Sequence, residues 1–143
     1  MPENDDSLLA NPAGEPFANQ PDPQDQRTRD VSALVGDWLS WSEAAEHLGV
    51  SVSKVRQLIK EHHLAALVPE PGAGQKVPAA FIEGSEIVKG VPGLLTVLHD
   101  NGFDDHEIIE WVFTADPTLP GRPIDALREN RGSEVKRRAQ SMA

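Results

Sequence analysis

The stretch WSEAAEHLGVSVSKVRQLIK, residues Trp41–Lys60, constrains the fold of this chain more than any other part. Two short amphipathic segments flank Gly49, and glycine readily takes the left-handed backbone that ends a helix. Ser42 and Ser51 stand just before the two apolar patterns, where an N-cap residue is favoured. The sequence therefore predicts two short helices joined by a tight turn, the second running to about His62.

The spacing of small and aliphatic residues indicates how these two helices pack. Ala45, Gly49, Val55 and Leu58 follow one another at intervals of four, six and three positions. Two helices that cross closely need a small residue at the contact, a glycine at the turn and aliphatics that anchor the second helix. The pattern meets these demands and predicts a helix-turn-helix, with Val52 and Ile59 extending the apolar stripe.

The other face of the second helix is polar. Ser53, Arg56, Gln57 and Lys60 recur at i, i+3, i+4 and i+7, which places them on one stripe. Arginine and glutamine can bind guanine and adenine edges with two hydrogen bonds, and lysines suit phosphates. No acid occurs between His47 and Lys60. The stripe favours a helix that reads DNA; the alternative is a plain helical hairpin whose polar stripe is only solvated.

A β-hairpin is predicted directly after these helices. Two apolar runs, Ala65–Val68 and Val77–Ile82, flank a turn rich in proline and glycine. Such a hairpin has the place and size of the wing of a winged helix. With a basic residue from the wing included, the candidate DNA-binding residues are Ser51, Ser53, Lys54, Arg56, Gln57, Lys60 and Lys76.

The rest of the chain is predicted to be helical. VPGLLTVLHDNGF places three leucines on one face and ends at an Asn-Gly pair. DDHEIIEWVF opens with Asp104 and has Glu107 three residues later, the spacing of a capping box. Two more helices are expected over PIDAL and SEVKRRAQSM. The predicted fold class is mainly α with a small β-hairpin: a winged helix-turn-helix followed by a helical C-terminal domain.

Charge and composition separate a tail from the folded part. Residues 1–30 carry seven acids and two bases, so half of the net charge of −10 lies in this segment. It is rich in Pro, Asn, Asp and Gln and has no apolar period, which predicts a disordered acidic tail. We expect a DNA-binding domain over 31–90 and a helical C-terminal domain over 91–143.

Several function classes find no support in the sequence. The chain has no cysteine, no N-terminal signal peptide and no apolar run of the roughly 20 residues that span a bilayer, so we expect a cytoplasmic protein without membrane contact. HEIIE lacks the second histidine of the zinc-protease motif. No nucleophile–base set or phosphate-binding glycine loop has a defensible spacing. We therefore predict no enzyme, no catalytic residues, no cofactor and no metal site.

Three segments carry a resemblance to a known family. They are WSEAAEHLGVSVSKVRQLIKEHHLAAL, VKGVPGLLTVLHDNGFDDHEIIEWVFTADPTL and RPIDALRENRGSEVKRRAQSMA. Together they resemble the actinobacterial winged helix-turn-helix DNA-binding protein family known as a substrate of the serine/threonine protein kinase L. The resemblance covers about residues 37–143. It implies a transcriptional regulator that binds double-stranded DNA, is controlled by phosphorylation and has a serine/threonine kinase as partner.

The tail outside this resemblance offers a candidate phosphorylation site. Thr28 lies between Arg27 and Arg29, the only bases of the tail. A phosphate adds about −1.5 to −2 charges and would cancel both arginines, which could otherwise contact DNA as a short basic arm. Ser7 is the alternative site.

A second resemblance concerns the C-terminal half. WVFTADPTLPGRPIDAL is similar to the toxin-binding domain of Xre-type antitoxins, with Ala115 where those proteins tend to have proline. It implies an alternative function: a protein-interaction module whose C-terminal helices bind a partner protein or form a homodimer. The two functions differ in which half of the chain is required.

Overall fold

The computed structural model describes residues 23–119 and 121–142, which form seven helices, four short strands and one 3₁₀ turn. No helix in that part of the chain is long and apolar enough to cross a bilayer. The helices are α1 (Pro23–Val35), α2 (Trp41–Leu48), α3 (Val52–Lys60), α4 (Val91–Asp100), α5 (Asp105–Val112), α6 (Pro123–Arg128) and α7 (Gly132–Gln140). The strands are β1 (Trp38–Ser40), β2 (Lys76–Pro78), β3 (Ile82–Glu83) and β4 (Glu86–Ile87), and the 3₁₀ turn covers Ala79–Phe81.

Helix α1 was not expected, because residues 23–30 were predicted to belong to a disordered tail. Proline suits the first position of a helix, where its missing N–H costs nothing. Val31 is fully buried and Val35 packs against the same core. Arg27 forms an ion pair with Glu110 of α5 at 2.8 Å. These tertiary contacts order a segment whose own composition is too polar to do so; residues 1–22 of the predicted tail lie outside the described residues.

Helices α2 and α3 form the predicted helix-turn-helix. Ala44, Ala45 and Val55 are buried in one small cluster with Ile82, which follows the wing. Gly49 has a φ of 68° and ends α2, and its N–H is bonded to the carbonyl of Glu46 at 3.3 Å. An alanine at the contact lets the two backbones approach closely, so the predicted crossing is confirmed.

The N-cap of α2 is Ser40 rather than the predicted Ser42. Ser40 Oγ accepts a hydrogen bond from Glu43 N at 3.1 Å, and Glu43 Oε1 accepts one from Ser40 N at 2.8 Å. This reciprocal capping box needs a carboxylate three residues after the serine. Ser40 has Glu43 at that spacing, whereas Ser42 has Ala45, so the helix begins two residues earlier than predicted.

The predicted hairpin is reduced to a single β-bridge between Leu67 and Lys76, whose backbones exchange hydrogen bonds of 3.1 and 2.8 Å. Strand β2 pairs instead with β1, with Leu39 opposite Val77, and β3 and β4 form a second small antiparallel pair. The bridge closes a loop over residues 68–75, here called the wing loop. Its two prolines cannot donate backbone hydrogen bonds, which explains why pairing stops at the bridge.

The C-terminal helices follow the predicted pattern. Leu94, Leu95 and Leu98 of α4 are all buried. Asp104 and Glu107 form the predicted capping box of α5, with hydrogen bonds of 2.9 and 3.1 Å. Helix α7 packs against α4 and α6.

One hydrophobic core extends across both halves of the chain. It contains Leu64–Leu67 and Phe81 from the first half and most of the buried residues of α4 to α7. The rings of Phe81 and Phe113 are in contact, with centroids 5.7 Å apart. The predicted boundary after residue 90 therefore separates segments of sequence that share one core.

We expect Phe113→Ala to destabilise the whole molecule by about 3–5 kcal/mol, because it leaves a cavity beside Phe81. Trp38 and Trp41 report on the first half once Trp111→Phe removes the third indole. In that background, fluorescence and far-UV circular dichroism should lose signal at the same, lowered denaturant concentration. Leu34→Ala, at a side chain that is 43% exposed, should change stability by less than about 0.5 kcal/mol. Two separate transitions, with the fluorescence midpoint unmoved, would contradict a shared core.

Candidate nucleic-acid interface

Helix α3 has one packed face and one open face. Val55 is fully buried against α2, and Leu58 and Ile59 are partly buried. Ser51 is the predicted N-cap: its Oγ accepts a hydrogen bond from Lys54 N at 3.0 Å. Val52, predicted to extend the apolar stripe, is 43% exposed, so the packed face begins at Val55. Helix α3 is thus packed through one face and capped at its N-terminus, and this packing sets the direction of its open face.

The predicted polar stripe occupies that open face. Ser53, Arg56, Gln57 and Lys60 are all exposed and line one surface recess of about 530 Å³. Every residue lining the recess comes from α3 or its C-cap. The arrangement presents two cations and one side-chain amide side by side, without a neighbouring element covering them.

A carboxylate that the sequence prediction omitted shares this recess. Glu61 lines it, and Glu61 Oε2 accepts a hydrogen bond from Gln57 Nε2 at 3.0 Å. The two residues are four positions apart on a helix, so the contact was readable from the spacing. The acid-free run from His47 to Lys60 therefore ends at an acid that belongs to the same surface.

The other two predicted lysines lie outside the recess. Lys54 is exposed in the first turn of α3, and Lys76 is partly exposed on β2, opposite Ser40. Lys76 lies near Glu43, whose pKa is lowered mainly by the hydrogen bond from Ser40 N and in small part by the charge of Lys76. Lys76 marks the base of the wing loop, whose only charged residue is Glu70.

Thr28 and its neighbours lie on α1, not on a flexible arm. The hydrogen bond to Glu110 raises the pKa of Arg27 and holds its guanidinium against α5. Thr28 is half-buried, with Oγ1 3.4 Å from His106 Nε2. Thr28 and the exposed Arg29 also line a recess of about 280 Å³ with residues 68–71 of the wing loop. The expectation of a free arm with two available arginines is corrected: Arg27 is engaged, and Arg29 is exposed beside the wing.

The three tryptophans have a packing role. Trp38, Trp41 and Trp111 are partly buried against the shared core, and Trp38 Nε1 donates a hydrogen bond to Ser32 O at 3.3 Å. None of the three lines the recess on α3. Base stacking by these rings is therefore not part of the candidate interface.

A helix-turn-helix with a small-residue crossing, an exposed polar second helix and a β-bridged loop after it defines the winged helix-turn-helix class. Comparison with known proteins narrows the class. The chain belongs to the family of the DNA-binding protein Rv2175c. Residues 28–82 match the family described as "DNA-binding protein Rv2175c, wHTH domain", and residues 88–143 match the "Rv2175c C-terminal domain of unknown function".

A sequence comparison and a structure comparison support this assignment. The chain is 46% identical over 112 residues to the DNA-binding protein Rv2175c of Mycobacterium tuberculosis, which covers 69% of this chain and 75% of that protein. The solved NMR structure of Rv2175c superposes with a TM-score of 0.67 at 42% identity, covering 75% of this chain and 81% of the other. The predicted fold class is confirmed. The description of the N-terminal family names DNA binding, and that of the C-terminal family gives no function.

Proposed function

We propose that the protein binds double-stranded DNA sequence-specifically in the cytoplasm and regulates transcription, with α3 as the recognition helix. The observation that carries this proposal is the exposed stripe of Ser53, Arg56, Gln57 and Lys60 on a helix anchored by its opposite face. The DNA-binding relative supports it, because 46% identity extends over 112 residues.

The major groove admits one α-helix and displays a distinct donor and acceptor pattern for each base pair. In the proposed complex Arg56 and Gln57 face base edges in that groove. Lys54 and Lys60 contact the phosphates on either side of it, and Lys76 contacts the backbone from the base of the wing loop. Ser51 contributes indirectly, since its hydroxyl caps the helix that carries the others.

The charge of the chain shapes how this binding would work. Phosphate attraction supplies most of the affinity of non-specific binding, and a net charge of −10 opposes it. Glu61 adds a negative charge at the recess itself. Base contacts must therefore supply an unusually large share of the affinity. A homodimer would double the number of contacts, and we propose the C-terminal half as the part free to form it or to bind a partner protein.

The antitoxin-like alternative stays a prediction. Leu127, the leucine of the PIDAL motif, is buried in the core. It packs so closely on Gly90 that a Cβ atom added to this glycine would lie 3.0 Å from Leu127 Cδ2. A partner protein would have to use exposed residues of α6 and α7 instead.

The function as a whole is tested by selecting genomic fragments that the purified full-length chain retains, and then titrating the selected fragments against shuffled versions. Sequence-specific binding predicts that the selected fragments share a motif and bind at least tenfold more tightly than the shuffled ones. Retention of fragments without a common motif would contradict it.

Arg56→Ala should cost about 1–3 kcal/mol on a selected fragment and relax the preference at one base pair. Lys60→Ala should weaken binding to selected and shuffled fragments alike and reduce the slope of log affinity against log salt by about one. Lys89→Ala, which removes an exposed cation outside α3, serves as the charge-matched control. Unchanged affinity and preference in Arg56→Ala would show that α3 does not read bases.

Glu61→Gln should strengthen binding to all fragments by about 0.5–1 kcal/mol, because it removes a charge that repels phosphate across water. Glutamine keeps an acceptor for Gln57, so the preference among sequences should change little. Glu134→Gln on α7 makes the same change in net charge in the C-terminal half. The local role of Glu61 would be refuted by equal gains in the two variants.

We propose further that a serine/threonine kinase controls the protein through Thr28. A kinase would need α1 to leave α5, since Thr28 is half-buried beside His106. The phosphate would then stand among the acids near Arg27, which include Glu107 and Glu110, and would oppose the return of α1. It would also lie next to the wing, where it would repel DNA.

Phosphorylation of Thr28 should weaken binding to a selected fragment by about 1 kcal/mol, roughly fivefold, and Thr28→Glu should do so in part. Thr28→Val retains the bulk of the side chain but accepts no phosphate, so kinase treatment should leave its affinity unchanged. The measurement is a titration of each protein form, with the modified residue identified by mass spectrometry. Full affinity with phosphate confirmed on Thr28, or phosphate found only on Ser7, would remove Thr28 as the control point.

A further inference from the structure

Three side chains that are distant in sequence meet near the C-terminal end of α3. His62 follows α3, His99 lies in the last turn of α4, and Asp105 is the first residue of α5. Each offers a ligand atom, and these atoms lie within 4.8 Å of one another. The meeting point joins the end of the helix-turn-helix to the C-terminal half.

Asp105 is held in place by the surrounding backbone. Its Oδ2 accepts a hydrogen bond from Ala66 N at 3.2 Å, and its Oδ1 is 2.8 Å from His99 Nε2. The backbone contact fixes the carboxylate and leaves Oδ1 directed at the histidines. A carboxylate ligand that is itself hydrogen-bonded is the usual support of a metal site.

His62 is not accounted for by this pair. Its ring stacks on His99 with centroids 3.6 Å apart and an angle of 27° between the planes. Its Nδ1 is buried and has no hydrogen-bond partner. A buried imidazole nitrogen without a partner is costly, and it normally finds a donor, an acceptor or a metal ion.

The backbone at His62 adds a second irregularity. His62 has a φ of 64°, and His63 N is bonded to Leu58 O at 2.8 Å. This is the helix end at which glycine is the usual left-handed residue, with asparagine next. A histidine here brings an imidazole to a position that the sequence could have filled with a residue better suited to the backbone.

We propose that His62, His99 and Asp105 form a binding site for one Zn²⁺ ion. Two imidazoles and one carboxylate are ligands that zinc accepts, whereas Mg²⁺ and Ca²⁺ prefer oxygen alone. The ion takes the place of the proton between His99 Nε2 and Asp105 Oδ1, so that His99 binds it as the neutral ring that carries its proton on Nδ1, and the N···O separation widens from 2.8 Å to about 3.3 Å. Since the lone pairs lie in the ring planes, both imidazoles turn out of their stack to face the ion, and water completes the tetrahedron.

The consequence is a clamp between the two halves. One ion would link His62, which lies just beyond the end of α3, to His99 in the last turn of α4 and to Asp105 at the start of α5. Ligands that bind only the folded protein raise its thermal stability by mass action. The site does not depend on DNA binding, so its test is separate from the test of the proposed function.

The test is calorimetric titration of ZnCl₂ into the chelator-treated full-length chain, together with thermal unfolding with and without zinc. Wild type should bind one ion per chain with a dissociation constant in the micromolar range or tighter and gain about 5 °C or more in Tm. His62→Asn, in which asparagine tolerates the left-handed backbone, should lose at least tenfold in affinity. His99→Gln and Asp105→Asn should do the same, while His47→Gln, at an exposed histidine of α2, should bind as wild type.

Nuclear magnetic resonance of the wild-type imidazoles keeps the test independent of how the variants fold. Zinc should shift the ring nitrogens of His62 and His99 and leave those of His47 in place. The proposal is overturned if wild type takes up no stoichiometric zinc, if the ring nitrogens of His62 and His99 do not shift, or if all three ligand variants bind as wild type does.

Discussion

Burial of the segment Leu64–Leu67 is the interaction on which the rest of the structure depends. These four residues follow α3 closely and are buried in the core, so α3 is joined directly to the packing of the C-terminal helices. Full burial of one leucine contributes about 1.5–3 kcal/mol, and two leucines of this segment are at least nine-tenths buried. The open face of α3 is therefore oriented by residues buried in the core, and the C-terminal half takes part in positioning it.

The same continuity gives the C-terminal half a structural role alongside any partner it binds. Arg128 of α6 donates a hydrogen bond to Ala80 O at 2.8 Å, and α1 reaches from the wing region to α5. The two matched family segments thus behave as parts of one packed unit. A change in α1, in α6 or at the His62–His99–Asp105 cluster can reach α3 without crossing a flexible linker.

The sequence correctly predicted helix ends that depend on residues close to one another in the chain. Gly49, the cap at Ser51 and the Asp104–Glu107 box are set by residues within four positions of one another, and all were readable from the sequence. Helix α1 was missed because Arg27 and Val31 are ordered by partners far along the chain. The wing was overestimated because the prolines of the wing loop stop the pairing at one bridge, and β2 pairs with β1 instead. The histidine and aspartate cluster was invisible for the same reason as α1: its members are brought together only by the shared core.

If α3 reads DNA as proposed, the hydrogen bond between Gln57 and Glu61 has a kinetic consequence for the search for a specific sequence. On an arbitrary DNA sequence the hydrogen bond between Gln57 and Glu61 can stay formed. The affinity for such DNA is low, because the carboxylate of Glu61 repels phosphate. If Gln57 reads bases as proposed, an adenine that replaces Glu61 as the partner of the amide would compensate for the loss of this hydrogen bond. In the proposed complex, encounters with wrong sequences would therefore be brief, and the search would proceed more by dissociation and rebinding than by long slides along the duplex.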